Sequence, residues 1–500
     1  MNKQKKKGIF YYLNPRHLSD EVASMNMKVD WKKAILAYVL FVCAMIGAGY
    51  GFRLDFLPYT ISLIVVGFVL FPYLTYLFYK QQYEEIRFGD VNNYIERTLY
   101  NFKANPIIAD TLKKTATTFQ PGPMKNLIEL ASKAVITDGD KAALEYIEME
   151  YDNTYIKQMH RLMLSVASKG GDYSESADLL LQFRREWMER TTSFQRQKKK
   201  RRISSIMAIG ISLLICIVME RLLIYATANP NGISKLPLVE IVTCITIIGD
   251  FFIYLTVQKL AAGSWLQSTT TNSDKKIKET YYKATHFDKK KAIRDAAIME
   301  VLPLAIAIGG YLLNIRIMYA IAGIMAIYVA FNPFLQQSKR KKLLHSELNV
   351  AFPRWLMNIA LLSQSNSVRV SLQKSVEEAP VVMLPELIKL NNALNENPGS
   401  KEPYYDFLKD FHMSYVSSAM QMLEAIDTGT GVNTKKQINE LIAFNGTLLD
   451  KAEREANDNV LAGFLILDWA PSGVASFKMV VDMVVFMLVF MGSFGTLMNV

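Results

Sequence analysis

Seven long apolar runs constrain the fold of this sequence more than any other feature. A helix needs about 20 mostly apolar residues to cross about 30 Å of hydrocarbon, and several runs reach that length while the shorter ones come close. One such run is typical of a buried core helix, but seven runs flanked by Lys and Arg indicate a polytopic helical membrane protein. The runs are 34–50, 59–79, 203–225, 238–257, 297–313, 317–335 and 479–494.

The basic residues indicate on which side of the membrane each connection lies. The net charge of +11 is compatible with nucleic-acid binding, but the basic clusters stand beside apolar runs. Cytoplasmic flanks of membrane helices carry excess Lys and Arg, and such clusters also favour anionic headgroups. We therefore predict a multi-pass protein of the plasma or inner membrane that contacts membrane lipid and no nucleic acid. The clusters are 3–7, 196–202, 275–291 and 339–342.

This charge pattern predicts an alternation of membrane segments and cytoplasmic segments. The stretch 461–477 contains Asp468 and Pro471, and it fits an eighth span, a re-entrant piece or an interfacial helix, so the side of the C-terminus stays open. The predicted order is a cytoplasmic N-terminal segment (1–33), a transmembrane pair (34–79), a cytoplasmic helical bundle (80–202), a transmembrane pair (203–258), a basic cytoplasmic linker (259–296), a transmembrane pair (297–335), a second cytoplasmic bundle (336–460) and a C-terminal membrane segment with one or two spans (461–500).

The two cytoplasmic blocks align with each other at a constant offset of 260 residues. Apolar residues in both blocks recur at spacings of three, four and seven, which is the pattern of amphipathic helices. We predict one fold for both blocks, an all-α bundle of five or six antiparallel helices. Matched pairs include Leu112 and Leu372, Leu127 and Leu387, Leu130 and Leu390, Ile156 and Val416, Gly171 and Gly431 and, after one inserted residue, Leu180 and Leu441.

The membrane runs are expected to follow the same repeat. The pair 34–79 corresponds to the pair 297–335, and the fourth run, 238–257, corresponds to 479–494. The third run, 203–225, then has no clear counterpart apart from the short stretch 461–477.

The residue types that support catalysis or metal binding occur in no usable pattern. The chain has no glycine-rich phosphate loop followed by Lys and Ser or Thr, so it is not itself an ATPase. We predict no enzyme, no catalytic, cofactor-binding or metal-ligating residue and no cofactor. His160 and His412 are expected to be surface or hydrogen-bonded polar residues. The cysteines are interpreted as small core residues, and they are Cys43, Cys216 and Cys244.

Charged residues inside apolar runs are costly in hydrocarbon and are often functional. Glu220 with Arg221, Asp250 and Asp482 are the positions of this kind. The first interpretation is that they form interhelical pairs or lie near the interface. The second is a proton or ion pathway, which requires an aligned series of polar groups. We favour the first.

Two signatures resemble the type II secretion F domain. The segments "YIERTLYNFKANPIIADTLKKTA" and "WLMNIALLSQSNSVRVSLQKSVEEAP" resemble its opening helices. The segments "LMLSVASKGGDYSESADLLLQF" and "MLEAIDTGTGVNTKKQINELIAF" resemble its second signature, a helix, a Gly-containing turn and another helix. Two spans before each bundle are most similar to Tad-type pilus platform proteins, here with the related pair fused into one chain. The glutamate that the family often carries before its Gly turn is absent.

The resemblance implies a function without catalysis. It implies a platform protein of a Tad-like type IV pilus or a type II secretion-type machine, which couples a cytoplasmic hexameric ATPase to the assembly of pilin-like subunits, as a homo-oligomer. The alternative is a membrane transporter or ion-driven channel component. Such a protein is expected to have inverted repeats and broken helices around a midplane site, whereas the repeat predicted here is parallel.

Overall fold

The computed structural model describes residues 8–170, 173–226, 233–266, 273–312, 317–363, 366–377, 379–429 and 434–498. Within these ranges the secondary structure is helical and contains no strand. The prediction of an all-α protein is therefore confirmed. The aligned glycines Gly171 and Gly431 lie outside the described residues.

The first half of the chain contains helices of very different length. Short polar side chains begin several of them: Asn14, Asp30 and Asn153 each accept backbone N–H groups at a helix N-terminus. The helices are α1 (Pro15–Ser24), α2 (Trp31–Gly51), α3 (Ile61–Ala104), α4 (Ile108–Thr118), α5 (Pro123–Asp138), α6 (Asp140–Tyr151), α7 (Thr154–Lys169), α8 (Ser174–Ala226) and α9 (Pro237–Ala261). A 3-10 turn at Ile9–Leu13, a π turn at Phe56–Thr60 and a 3-10 turn at Ile233–Lys235 accompany them.

The second half begins with two short basic helices and then follows a similar order. Ser273, Asp288 and Ser367 each accept backbone N–H groups at the N-terminus of a helix. The helices are α10 (Asp274–Thr285), α11 (Lys289–Met299), α12 (Val301–Leu312), α13 (Ile317–Ser363), α14 (Val368–Ser375), α15 (Leu384–Glu396), α16 (Glu402–Asp406), α17 (Ser414–Thr428) and α18 (Thr434–Met498), with a 3-10 turn at Lys409–Phe411.

The helices of the two aligned blocks, 80–202 and 336–460, begin at similar intervals. Helices α4 to α8 begin at residues 108, 123, 140, 154 and 174, and α14 to α18 begin at 368, 384, 402, 414 and 434. Leu112 and Leu372 are both fully buried. Past the Gly turn the buried positions differ by 261, as for Leu180 and Leu441, in agreement with the expected inserted residue.

The constant register fails at one helix. Leu390 is buried, with 3% of its surface exposed, but its expected counterpart Leu130 is 51% exposed. The buried face of α5 contains Met124 and Ile128, and that of α15 contains Leu387 and Asn391, so these two faces correspond at an offset of 263. The cause is the connection before α15: α14 ends at Ser375 and α15 begins at Leu384, whereas α4 ends at Thr118 and α5 begins at Pro123.

One apolar core joins the two blocks. It contains buried side chains from α3 and α7 of the first block, and from α13 and α17 of the second. Burying one such Leu or Ile side chain stabilises a fold by about 1.5–3 kcal/mol. Because the core is shared, each block contributes to the stability of the other. Fully buried members include Leu99, Ile156, Met159, Leu356, Ile359 and Leu423.

Within the described ranges, five helices are long and apolar enough to cross a membrane. They are α2, the stretch Pro58–Ala104 that contains α3, α8, α9, and the stretch Lys436–Met491 of α18. These five helices fit a membrane protein. The runs 297–313 and 317–335 fall on α11 to α13 and are not among the five; α12 has 12 residues, and 313–316 lie outside the described ranges.

The C-terminal part of the chain differs from what the sequence suggested. Helix α18 runs without a break from Thr434 to Met498 and includes Pro471. The stretch 461–477 is therefore part of one helix that continues directly into the run 479–494.

Candidate functional site: a buried charge cluster between two long helices

Helices α8 and α18 pack side by side in the same direction. Residue numbers rise together along both helices at each contact, so the pair is parallel. The contacts, in order, are Ser176 with Asn439 (3.3 Å), Arg190 with Asp450, Arg201 with Asp468 (3.3 Å), Cys216 Sγ with the Ala475 carbonyl (3.9 Å) and Glu220 with Lys478 (3.3 Å). The run 203–225 thus packs against the part of α18 that contains Ala475 and Lys478. The expected equivalence of 479–494 with the fourth run, 238–257, stays a prediction.

Lys478 is the centre of a buried charge cluster in the apolar part of this pair. Its Nζ lies 2.5 Å from Asp482 Oδ2 and 3.3 Å from Glu220 Oε2. The lysine side chain is fully buried, and the Asp482 and Glu220 side chains are 1% and 6% exposed. The Phe52 ring centroid lies 5.3 Å from the same ammonium, which adds a cation–π contact. Two of the acidic positions selected from the sequence therefore meet at one lysine.

The geometry of the cluster explains how these buried side chains can remain charged. A buried charge is costly unless an opposite charge and hydrogen bonds compensate it. Lys478 and Asp482 are four residues apart on one helix, where side chains meet on the same face. Glu220 completes the pairing from α8, and the guanidinium of Arg221 donates to the Gly51 carbonyl oxygen at 2.9 Å. The cluster thus links α18 to α8, and Arg221 links α8 to the end of α2.

Asp250 is buried differently from the other two carboxyl groups. It lies on α9, is 2% exposed, and has Oδ2 3.5 Å from Ser212 Oγ. The same hydroxyl also lies 2.9 Å from the Ile209 carbonyl oxygen, and its single hydrogen can be donated to only one of these two acceptors at a time. Within the described residues Asp250 Oδ1 has no hydrogen-bond partner, and the ion pairs of Lys478 do not extend to this group. Among the described residues no cation pairs with Asp250 to compensate a negative charge.

Lys478 was missed from the sequence because it stands between two stretches that were read separately. It follows 461–477 and precedes 479–494, so it resembled a flanking charge. The signal that identifies it is the four-residue spacing to Asp482 inside an otherwise apolar helix. The carboxylate of Asp468, another charge in this helix, is also paired with α8. Arg201 contacts it, and the Ser205 hydroxyl lies 2.5 Å from Asp468 Oδ1.

A second charge network joins α8 and α18 nearer the N-terminal ends of the two helices. The Arg190 guanidinium, 5% exposed, donates to the carboxylates of Asp450 and Glu453 and to the Tyr155 hydroxyl at 3.2 Å. Tyr155 stacks on Trp187 with ring centroids 4.9 Å apart. Burial raises the pKa of the Tyr155 phenol well above its usual value, and the nearby Glu453 carboxylate raises it further. The phenol is therefore a neutral donor and acceptor that fixes α7 to this junction.

The other positions named from the sequence have mostly structural roles. His160 is fully buried and lies 2.8 Å from both the Tyr94 hydroxyl and a Glu148 carboxylate oxygen, so it is a hydrogen-bonded residue and not a surface one. His412 follows the 3-10 turn at Lys409–Phe411 with a positive φ of 51°. No group of three or more potential metal ligands occurs in the part of the chain that the structure describes.

One expectation about the cysteines needs correction. Cys216 and Cys244 are buried as predicted, but Cys43 is exposed on the apolar surface of α2. In the basic cluster 196–202, Lys198 is 4% exposed and its Nζ lies 5.1 Å from the Phe194 ring centroid.

Ion pairs hold the two parallel helices together both among the bundle helices and in the apolar region. Comparisons with protein-family models, curated proteins and solved structures gave no match for this chain.

Proposed function

We propose that this chain is a non-enzymatic membrane platform protein of the kind that the type II secretion F domain and the Tad-type pilus proteins represent. In this proposal both bundles face the cytoplasm, and the apolar helices lie in the plasma or inner membrane. The partners are a cytoplasmic hexameric ATPase, pilin-like subunits and other copies of the chain. The protein converts movement of the ATPase into movement of its membrane helices.

The observation that carries this proposal is the continuity of α8 and α18. They contain 53 and 65 residues, which correspond to about 80 Å and about 98 Å of helix. A bilayer core is about 30 Å thick, so each helix extends far beyond it into a bundle. An unbroken helix is stiff along its axis, and the Arg190 and Lys478 networks keep the pair in register.

The similar spacing of helices in the two blocks supports the idea of a fused pair. Helices α4 to α8 and α14 to α18 begin 260 to 262 residues apart, and their faces bury matching positions except at α5 and α15. Two related subunits that pack in parallel would produce this pattern when joined in one chain.

A transporter or ion-driven channel is the second candidate, and the buried charges favour it. Asp250 and the Lys478 cluster place carboxyl groups among apolar helices, where such groups often mark ion pathways. However, Lys478 is already paired, α9 and α18 are unbroken, and α8 and α18 run parallel. Transporter sites typically use broken helices and inverted repeats. The platform is therefore the better explanation.

The test is purification of the full chain from its native membrane, followed by mass spectrometry of the proteins that remain bound. The platform proposal expects a hexameric secretion-type ATPase and pilin-like subunits, and loss of surface filaments or secretion when the chain is deleted. The transporter alternative expects neither, and instead predicts ion flux into proteoliposomes that the Asp250→Asn variant abolishes.

A further inference from the structure

A cavity of about 370 Å³ lies where α10, α11 and α13 meet. At this point α13 passes from the apolar run 317–335 into the basic segment 339–342. Its wall is divided between apolar side chains and basic ones. The apolar part contains Phe287, Ala292, Ala296, Met299, Val329 and Pro333, and the basic part contains Lys283, His286, Lys291 and Arg340.

Specific contacts hold the three helices around this cavity. The Gln337 side-chain amide donates to the Ala284 carbonyl oxygen at 2.9 Å, which fixes the end of α10 against α13. Phe287 and Phe334 place their ring centroids 6.3 Å apart. Arg340 donates to Gln336 Oε1 at 3.1 Å, so the guanidinium is directed along the cavity side of α13. The cavity is thus built by packing between elements and is not a gap between loops.

The carboxylates near the cavity are already engaged. Asp288 accepts backbone N–H groups of Lys290 and Lys291 as the N-cap of α11. Lys283 pairs with Glu279, but both side chains are at least half exposed, so this pair adds little stability and the lysine is available to a ligand. The stretches 273–300 and 336–342 contain twelve lysines and arginines against five acidic residues, so the surrounding field is positive.

Exposed apolar side chains continue from the cavity toward the apolar run. Ile298 and Met299 on α11 are 64% and 62% exposed, and Phe331 and Leu335 on α13 are 61% and 48% exposed. Basic and apolar residues mixed on one short helix are typical of segments that lie at the membrane interface.

We propose that this cavity binds one anionic phospholipid from the leaflet beside it. The headgroup phosphate lies among Arg340, Lys291 and Lys283, where a guanidinium can hold two phosphate oxygens at once. The acyl chains follow Met299, Val329 and the exposed apolar side chains beyond them. A soluble phosphate compound would leave this apolar half of the wall uncovered, which is why a lipid fits better. The bound lipid fixes the linker helices α10 and α11 to the start of the second block.

This inference requires only that α12 and α13 contact the bilayer, and it is independent of the platform proposal. The probe is dioleoyl phosphatidylglycerol, with dioleoyl phosphatidylcholine as the zwitterionic comparison, added to the full chain in detergent and counted by native mass spectrometry. The pocket variant is Lys283→Gln, Lys291→Gln and Arg340→Gln. The matched control is Lys278→Gln, Lys289→Gln and Lys342→Gln, which removes one exposed charge from each of the same helices outside the cavity.

The wild type is expected to retain one phosphatidylglycerol, with a preference of about tenfold or more over phosphatidylcholine. The pocket variant should lose this preference, and the control should keep it. A charge-keeping variant, Lys283→Arg with Lys291→Arg and Arg340→Lys, should retain binding, which separates loss of the site from failure to fold. Equal loss in pocket variant and control, equal binding of both lipids, or displacement of the lipid by excess inorganic phosphate would overturn the proposal.

Discussion

Lys478 and Glu220 are 258 residues apart in sequence, yet the lysine Nζ lies 3.3 Å from a Glu220 carboxylate oxygen across the α8–α18 interface. Neither side chain is exposed beyond 6%, so the pair lies in apolar surroundings. Together with the contacts at Ser176, Arg190 and Arg201, it shows that the two longest described helices run parallel and which of their residues face each other.

Replacing Lys478 with Met should destabilise the membrane part of the protein. The change leaves the Glu220 and Asp482 carboxylates buried without a cation, which typically costs about 3–5 kcal/mol. Thermal unfolding of the full chain in detergent measures the loss. The triple variant Lys478→Met, Glu220→Gln and Asp482→Asn removes all three charges and should recover much of it. Equal stability of Lys478→Met and wild type would exclude a paired cluster.

Asp250→Asn should be tolerated, with a change in unfolding free energy of about 1 kcal/mol or less, because it removes no ion pair. The amide keeps the shape of the carboxyl group and can donate to Ser212 Oγ, which lies 3.5 Å from Asp250 Oδ2. The same unfolding assay measures this variant beside Lys478→Met. A loss of stability as large as that of Lys478→Met would show that Asp250 is a charged partner in the cluster.

Leu112→Asp and Leu372→Asp should each unfold the helical bundles that share one apolar core. Both leucines are fully buried in the shared core, and an unpaired charge there costs several kcal/mol. Circular dichroism and limited proteolysis of the full chain measure the effect, while membrane insertion should persist because it depends on the apolar helices. Leu130→Asp is the control, since this side chain is 51% exposed. If all three variants behaved alike, the assigned core would be incorrect.

Arg190→Gln should loosen the junction between the two blocks. The substitution leaves Glu453, whose side chain is 9% exposed, and the more exposed Asp450 without their shared guanidinium. We expect a loss of about 3 kcal/mol or less, the lower end for a buried pair, because Asp450 is 26% exposed and also pairs with Arg454 at 2.6 Å, and Glu453 also lies 3.9 Å from Arg354. Hydrogen exchange of α7, α8 and α18 should increase. Arg185→Gln on the exposed face of α8 is the matched control, and a similar response in both variants would contradict the assignment.

Helix positions could be predicted from the sequence because amphipathic spacing is a local property. Leu112 and Leu372 are examples, since neighbouring apolar residues three or four positions away already define their buried face. The offset between the buried faces of α5 and α15 could not be predicted. The connection after Ser375 is longer than the one before α5, and this changes which residues of α15 face the core without changing the composition of the helix. When two helices share an apolar pattern, one residue offset describes both buried faces only if the connections that precede the two helices have equal length.

The charge cluster could be predicted only in part, because its members come from distant segments. Glu220 and Asp482 were visible as charges in apolar runs, but their common partner is identified only when α8 and α18 are placed side by side. In the sequence, Asp468 interrupts an apolar stretch and suggests an irregular element. In the structure, Arg201 and Ser205 contact its carboxylate, and the helix is unbroken there. Long-range pairing of this kind leaves no periodic signal in either segment.

Disulfide cross-linking tests the parallel pairing of α8 and α18 most directly. The background replaces Cys43, Cys216 and Cys244 with Ala, and cysteines are introduced in pairs whose native side chains are in contact. The expected pairs are Ser176→Cys with Asn439→Cys, 3.3 Å apart in the native hydrogen bond, and Ser205→Cys with Asp468→Cys, 2.5 Å apart. The crossed controls are Ser176→Cys with Asp468→Cys and Ser205→Cys with Asn439→Cys. Oxidation in native membranes, followed by peptide mass spectrometry, should yield intramolecular disulfides in both expected pairs and in neither crossed pair. Disulfides in the crossed pairs, or in none, would contradict a continuous parallel connection between the bundles and the membrane.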